Sequence, residues 1–248
     1  MERYERQILL DRIGVSGQEK LSRARVTVVG AGGLGSPVLT YLTEAGVGNI
    51  RVIDCDTVSL TNLNRQYLHG EKDLGREKTV SALEKLSSLN SEIRLEGISR
   101  RLNTENAEEL IGNANVVVDC VDNVATRLIV NEVCIRKGIP LVEGGVKGFY
   151  GFVTVVSEES ACLECLGYNS RMDGNITPVL GVTAGVIGAL QASECLKLLL
   201  ETGETLAGRL LQYDGLTGSF DEIEVLKREN CGLHARAEQG MRTEKGKD

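Results

Sequence analysis

There is no tryptophan in these 248 residues, aromatic side chains make up only 4%, and there are three prolines. No apolar run reaches the roughly 20 residues that a membrane-crossing helix needs. The first residues, Met1-Glu2-Arg3-Tyr4-Glu5-Arg6, lack the apolar core of a secretory signal. Basic charge is in short supply. The 28 Lys and Arg against 35 Asp and Glu leave a net charge of −7, which argues against non-specific nucleic-acid binding through a basic surface. Seven cysteines, an odd number scattered over a long chain, do not suit a disulfide framework. In a reducing compartment they are free thiols or metal ligands. These absences predict a cytoplasmic protein without a membrane or nucleic-acid partner. What is present is ordinary for a soluble globular chain, 42% hydrophobic and 25% charged. The 29 glycines against three prolines suit many tight strand-to-helix turns.

Along the chain, residues 1–23 read as one or two short amphipathic helices. A strand–helix alternation follows. Strands are expected at Arg25–Gly30, Asn49–Asp54, Ile93–Ile98, Asn115–Asp119 and Ile139–Glu143, and helices at Gly33–Ala45, Arg76–Leu89, Thr104–Ile111 and Asn123–Lys137. Such alternation implies right-handed crossovers and a parallel sheet covered on both faces. After Gly144 the pattern changes to strands at Gly151–Ser157, Arg209–Asp214 and Gly218–Val225, the last two joined as an antiparallel hairpin. Gly181–Leu200 reads as one long core helix, because Glu194 and Lys197 interrupt it as a membrane span. The expected fold is a doubly wound Rossmann-like α/β sheet, mostly parallel, with a C-terminal antiparallel extension. The core would occupy residues 24–145 and the extension 146–234, with a disordered tail at 235–248.

Gly30-Ala31-Gly32-Gly33-Leu34-Gly35 follows the first strand and opens a helix. Glycines there let the backbone approach a phosphate chain, and the helix N-terminus offers unpaired N–H groups and partial positive charge. Asp54 ends the second strand, where a carboxylate accepts hydrogen bonds from ribose hydroxyls. The motif predicts nucleotide binding without choosing the nucleotide, so an NAD-dependent oxidoreductase remains one reading. The polar stretch after Asp54 favours another. Hydride transfer needs no cation there, whereas cleavage of the α–β bond of ATP loads charge on the phosphates that Arg65 and Lys78 would stabilise. An isolated Arg or Lys is more often a solvated surface charge. Asp122 follows the fourth strand and therefore faces the crevice at the C-terminal ends of the strands. It is either a magnesium ligand beside phosphates or, with Asn123, a helix cap.

The combination of Gly30–Gly35, Asp54-Cys55-Asp56, Asn62-Leu63-Asn64-Arg65-Gln66, Lys78 and Asp122-Asn123 resembles the ThiF/MoeB/HesA adenylyltransferases, the E1-like activators of ubiquitin-like sulfur carriers. The likeness runs from Arg3 to about His234, nearly the whole chain. It implies that Gly30, Gly32, Gly33 and Gly35 hold the phosphates of ATP and Asp54 its ribose. Asp56, Asn62, Arg65, Gln66, Lys78 and Asn123 would surround the nucleotide, and Asp122 would hold Mg²⁺. Arg6 matches an arginine that reaches the partner subunit's ATP, which implies a homodimer. The implied reaction adenylates the C-terminal carboxylate of a small ubiquitin-like sulfur carrier. Adenylation of a small carboxylate by the same chemistry, and a non-catalytic subunit of a heterodimeric activator, are the remaining readings.

Cys162-Leu163-Glu164-Cys165 and Cys231-Gly232-Leu233-His234 are two ligand pairs whose types and spacing suit a structural Zn²⁺ site. A redox Cys-x-x-Cys is the rival, but this pair does not follow a thioredoxin-like first strand. Relatives usually carry cysteine where His234 stands. Some also carry a cysteine before the long helix that bonds covalently to the carrier, and here Gly174 lies about there. Cys55, Cys120, Cys134 and Cys195 are expected in the core. Tyr168–Thr177 reads as a mobile loop over the substrate tail.

Overall fold

A computed structural model of the chain describes residues 2–169 and 177–236. Most of the segment expected as a loop over the substrate tail, and nearly all of the expected tail, lie outside the described residues. The N-terminal helices are α1 (Glu5–Ile8) and α2 (Gly14–Arg23). The core follows as β1 (Arg25–Val29), α3 (Gly35–Glu44), β2 (Asn49–Ile53), α4 (Lys78–Leu89), β3 (Arg94–Ile98), α5 (Ala107–Ile111), β4 (Val116–Asp119), α6 (Val124–Lys137) and β5 (Leu141–Lys147). The remainder is β6 (Tyr150–Val156), α7 (Gly181–Leu200), β7 (Arg209–Asp214) and β8 (Ser219–Glu224).

The eight strands of the described residues form one sheet in the order β3-β2-β1-β4-β5-β6-β7-β8. The first five run parallel and β6, β7 and β8 run antiparallel. From β1 the chain winds outward through β2 and β3, then returns to lay β4 on the other side of β1. The order reverses there, so the loops after β1 and β4 flank one crevice, which is where open α/β sheets bind ligands. β4 is buried at every position because helices cover both faces, which is why it is a continuous apolar run.

Several element boundaries differ from expectation, and three of them have a local reason. α5 starts at Ala107 because the Asn103 side chain accepts from Glu105 N (3.0 Å) and Asn106 N (3.1 Å), holding a turn where helix was expected. α4 starts at Lys78 because Glu77 pairs with Thr57 as an isolated bridge. β5 continues to Lys147 because β6 pairs with its whole length.

α7 packs on α3 and against β5 and β6. Its Gly188 makes this approach possible, since a Cβ there would lie 2.3 Å from Pro37 Cγ and 2.6 Å from Leu34 O. Among the described residues it is the one helix long and apolar enough to cross a membrane. It belongs to the core nevertheless, and its buried Glu194 accepts from Leu206 N at 2.8 Å.

Candidate active site

The crevice is a cavity of about 680 Å³ over the C-terminal ends of the parallel strands. Its floor is the glycine loop. Gly30 adopts φ +103°, and a Cβ there would lie 2.7 Å from Cys120 O, so the loop can cross β4 only as glycine. Gly32 and Gly33 face the cavity beside Gln66 and Arg65. Gly35 lies beneath, where a Cβ would meet Gly30 O at 2.1 Å. It closes the turn and does not line the cavity. Asp54 accepts from Ala31 N through Oδ2 and from Asp56 N through Oδ1, both at 2.8 Å. It therefore braces the loop as well as lining the cavity.

Lys78 opens α4 with its side chain only 7% exposed, and its Nζ donates to Asp56 Oδ2 at 2.9 Å. Partial burial works to raise the Asp56 carboxyl, but the bond and charge of Lys78 outweigh it and hold the group below the usual carboxylate range. Arg65 is anchored by donation to Thr61 O (2.9 Å) and Asn64 Oδ1 (3.0 Å) while lining the cavity. Asn62 does not line it; its Oδ1 accepts from Ser59 N at 3.1 Å and caps the turn that carries Arg65. Gln66 is buried behind Gly32, its Oε1 without a hydrogen-bond partner.

Asp122 and Asn123 stand across the cavity from the glycine loop. Asn123 caps α6, accepting from Thr126 N at 2.9 Å. The cap is thus filled by Asn123, and the exposed Asp122 carboxylate lines the cavity. Arg6 is exposed on α1 and does not line its own chain's cavity.

Cys55 is a correction. It was expected in the core but is exposed and lines the cavity, because it lies past the end of β2, where the chain leaves the sheet. Cys120, Cys134 and Cys195 are buried as expected.

Sequence reasoning missed several residues of the site. Arg100 and Arg101 line the far end of the cavity after β3. The rule that found Asp122, a charged residue just past a parallel strand, would have found them too. Arg127 is nine-tenths buried, donates to Val121 O (2.6 Å) and Gly144 O (2.7 Å), and is ion-paired with Glu143. Glu143 and Asp119 are paired across β4 and β5 and wholly inaccessible. Burial raises the Asp119 carboxyl against the pull of Arg127. Nothing in the one-dimensional pattern marks such a network, because its members are 24 residues apart and masked by apolar neighbours.

The second cluster lies outside the cavity. Cys162, Cys165, Cys231 and His234 are all buried, and their donor atoms lie within 4.8 Å of one another. The Cys162–Cys165 and Cys162–Cys231 sulfurs are 3.8 and 3.6 Å apart, and Cys165 Sγ is 3.9 Å from His234 Nδ1. A tetrahedral Zn²⁺ with bonds near 2.3 Å needs donor separations of about 3.8 Å, so the four residues fit such an ion.

The ThiF family sequence profile matches residues 4–233. The chain is 40% identical over 236 residues to the SAMP-activating enzyme E1 of Haloferax volcanii, covering 93% of this chain and 87% of that one. It is 42% identical over 242 residues to the sulfur carrier protein adenylyltransferase of Thermus thermophilus, covering 93% and 89%. It is 44% identical to the adenylyltransferase and sulfurtransferase MOCS3 of Culex quinquefasciatus, but spans only 54% of that longer protein. The structure of Escherichia coli MccB with ATP superimposes with a TM-score of 0.84 at 24% identity, over 94% of this chain and 74% of that one, which shows a shared fold. With the profile matched from Tyr4 to Leu233 and close relatives matched over most of their lengths, the chain belongs to the ThiF family.

Proposed function

We propose that this protein uses ATP to adenylate the C-terminal carboxylate of a small ubiquitin-like sulfur-carrier protein. One observation carries the reading: a single cavity brings together the glycine loop, Arg65, Lys78 and Asp122. The names of relatives similar in length point the same way. A hydride-transfer enzyme has no use for two cations and a carboxylate around its phosphate loop.

In this reading the triphosphate lies over Gly32 and Gly33, with Arg65 and Lys78 beside it. The acceptor carboxylate attacks the α-phosphorus. An oxygen–phosphorus bond forms, the α–β bridge breaks, and acyl-adenylate and pyrophosphate leave. No protein nucleophile is needed; positioning and fixed charge lower the barrier. Asp122 is the residue that would hold Mg²⁺, which neutralises phosphate charge when bound. Asp56 keeps Lys78 pointed into the cavity. Val146, Thr177, Val179 and Ala184 form the wall along which the acceptor's tail enters. Cys162, Cys165, Cys231 and His234 would hold Zn²⁺ in a purely structural role. The free thiols suit the reducing cytoplasm.

The active unit in this reading is a homodimer, with Arg6 acting in the partner's cavity. Its support is the exposure of Arg6 and of apolar Leu9, Leu10 and Val182, which a monomer gains nothing by displaying. ATP–pyrophosphate exchange tests the chemistry. Exchange dependent on Gly-Gly-ended carriers is expected; exchange only with a small carboxylate would change the acceptor, and NAD binding without exchange would overturn the reading. Mixing Arg6→Ala with Asp122→Ala tests the dimer. Half the dimers would be mixed, each with one intact site, so about a quarter of wild-type activity should return. No recovery would refute the action of Arg6 in the partner's cavity.

A further inference from the structure

His69 takes no part in the chemistry above, yet it is buried directly behind the glycine loop. Its imidazole spans two elements. Nε2 is 2.9 Å from Ala31 O and Nδ1 is 2.9 Å from Ser81 Oγ on α4. These contacts fix its proton. A carbonyl oxygen can only accept, so Nε2 carries the hydrogen and donates to Ala31 O. In the neutral ring Nδ1 must then accept, and Ser81 supplies the O–H. Ser81 is itself oriented, because Lys85 Nζ stands 3.4 Å from the same Oγ and donates to it. The direction of donation runs from Lys85 through Ser81 and His69 to the glycine loop.

The surroundings keep the ring neutral. Burial disfavours its charged form, and Lys85 and Lys78 on α4 repel an added proton; the bond to Ala31 O and the charge of Asp54 at the end of β2 favour one but are outweighed. The Ala31 carbonyl gives the arrangement its consequence. In a trans peptide the C=O and the following N–H point in opposite directions. Holding Ala31 C=O from behind turns the Gly32 N–H toward the cavity, while Asp54 holds Ala31 N–H at 2.8 Å on the other side of the same residue.

We propose that His69, as the neutral Nε2–H tautomer fixed by the Ala31 carbonyl, is a positioning residue that aims the Ala31–Gly32 peptide at the triphosphate of the nucleotide. The proposal rests on the adenylation reading for the identity of that nucleotide. His69 also ties the loop to the helix that begins with Lys78, so the peptide N–H and the ammonium are set by one contact chain.

Two substitutions separate positioning from mere core packing. In His69→Gln the amide N–H reaches the place of Nε2 and can still hold Ala31 O. In His69→Asn the shorter amide keeps the Ser81 side and leaves Ala31 O unpaired. Positioning predicts that Asn weakens ATP binding about tenfold while Gln stays within about threefold, at similar melting temperatures. Equal affinities at similar melting temperatures, or losses that simply track melting temperature, would overturn it. Nitrogen-15 NMR of the wild-type protein tests the tautomer without any substitution. A proton on Nε2 and a bare Nδ1 at pH 7 are expected, and the reverse would sink the proposal. Both measurements need no acceptor, so a wild-type protein that binds ATP but shows no pyrophosphate exchange counts against the adenylation reading alone.

Discussion

The parallel and antiparallel halves of the sheet are built to different ends. In the parallel half, winding in two directions from β1 buries β4 completely and delivers the ends of the strands to one crevice. Gly30, Asp54 and Asp122 all sit just past strands that also carry the core. Stability and chemistry come from the same topology there. In the antiparallel half β8 is exposed at every position, and none of the cavity's charges comes from β6, β7 or β8. The segments that follow β6 and β8 meet at the cluster, where Cys162 and Cys231, 69 residues apart, lie side by side. The comparison teaches that a doubly wound sheet can support its own site, whereas an open antiparallel edge would gain a cross-link from an ion held by the cluster.

The largest expected effect tests whether stability and chemistry are inseparable in the parallel half. Arg127→Met strands the inaccessible Glu143 and Asp119 carboxylates without their cation. A loss of about 3–5 kcal/mol is expected in denaturant melts, together with activity. A stable variant would show that the pair protonates at little cost. Next comes a change in chemistry alone. Asp122 is exposed and Asn123 already caps α6. Asp122→Ala should therefore slow exchange by roughly 10²–10³-fold and shift stability by no more than about 0.5 kcal/mol. Full activity would remove the magnesium role.

The antiparallel half should show the converse. Cys231→Ser, or treatment with a chelator, should cost on the order of 3 kcal/mol of stability, because metal-binding energy is folding energy at such sites. Exchange per folded molecule should stay near wild type below the new melting temperature. Protein purified without chelators that contains no metal would refute the zinc assignment.

These halves were not equally legible in the sequence. Gly30–Gly35, Asp54 and Asp122 could be read because a parallel sheet turns linear position, just past a strand, into spatial position. The three cysteines and His234 of the cluster were legible through spacing. Cys55 was misjudged because its residue type favours burial while its place past β2 dictates exposure. Asn62 and Gly35 were assigned to the nucleotide, but their contacts are local: one caps a turn and the other closes one. Arg127, Glu143 and His69 stayed hidden because their partners, which are each other's charges, backbone carbonyls and the Ser81 hydroxyl, are brought together only by folding.

A smaller effect tests the seam between the halves. Gly188→Ala would push a methyl into Pro37 and Leu34 O. The cost should be about 1–3 kcal/mol, with weaker ATP binding because Leu34 belongs to the glycine loop. Loss of stability with unchanged affinity would show that α7 supports the core without setting the loop.

The smallest effect is a pH dependence confined to the parallel half. Burial first, then Lys85 and Lys78, lowers the proton affinity of His69 below its ordinary pKa of 6.5. Below that pH the unfolded chain takes up a proton that the folded chain refuses, so stability should begin to fall as pH drops through 6.5, by at most about 1.4 kcal/mol per unit. Asp73 acts later. Burial works against its charge, but Lys85 and Gly70 N outweigh it and hold its carboxyl far below the ordinary 3.8. Its contribution is complete above that pH and is lost only below it. Thermal melts of the wild type and His69→Gln from pH 7 to 5, continued down to pH 3, separate the two, because Asp73 is common to both. The variant should show a flatter slope in that window and the same steep loss below pH 4. Parallel slopes throughout would mean that His69 takes up its proton in the folded protein, and the ring would then lose the single tautomer that its place between Ala31 and Ser81 requires.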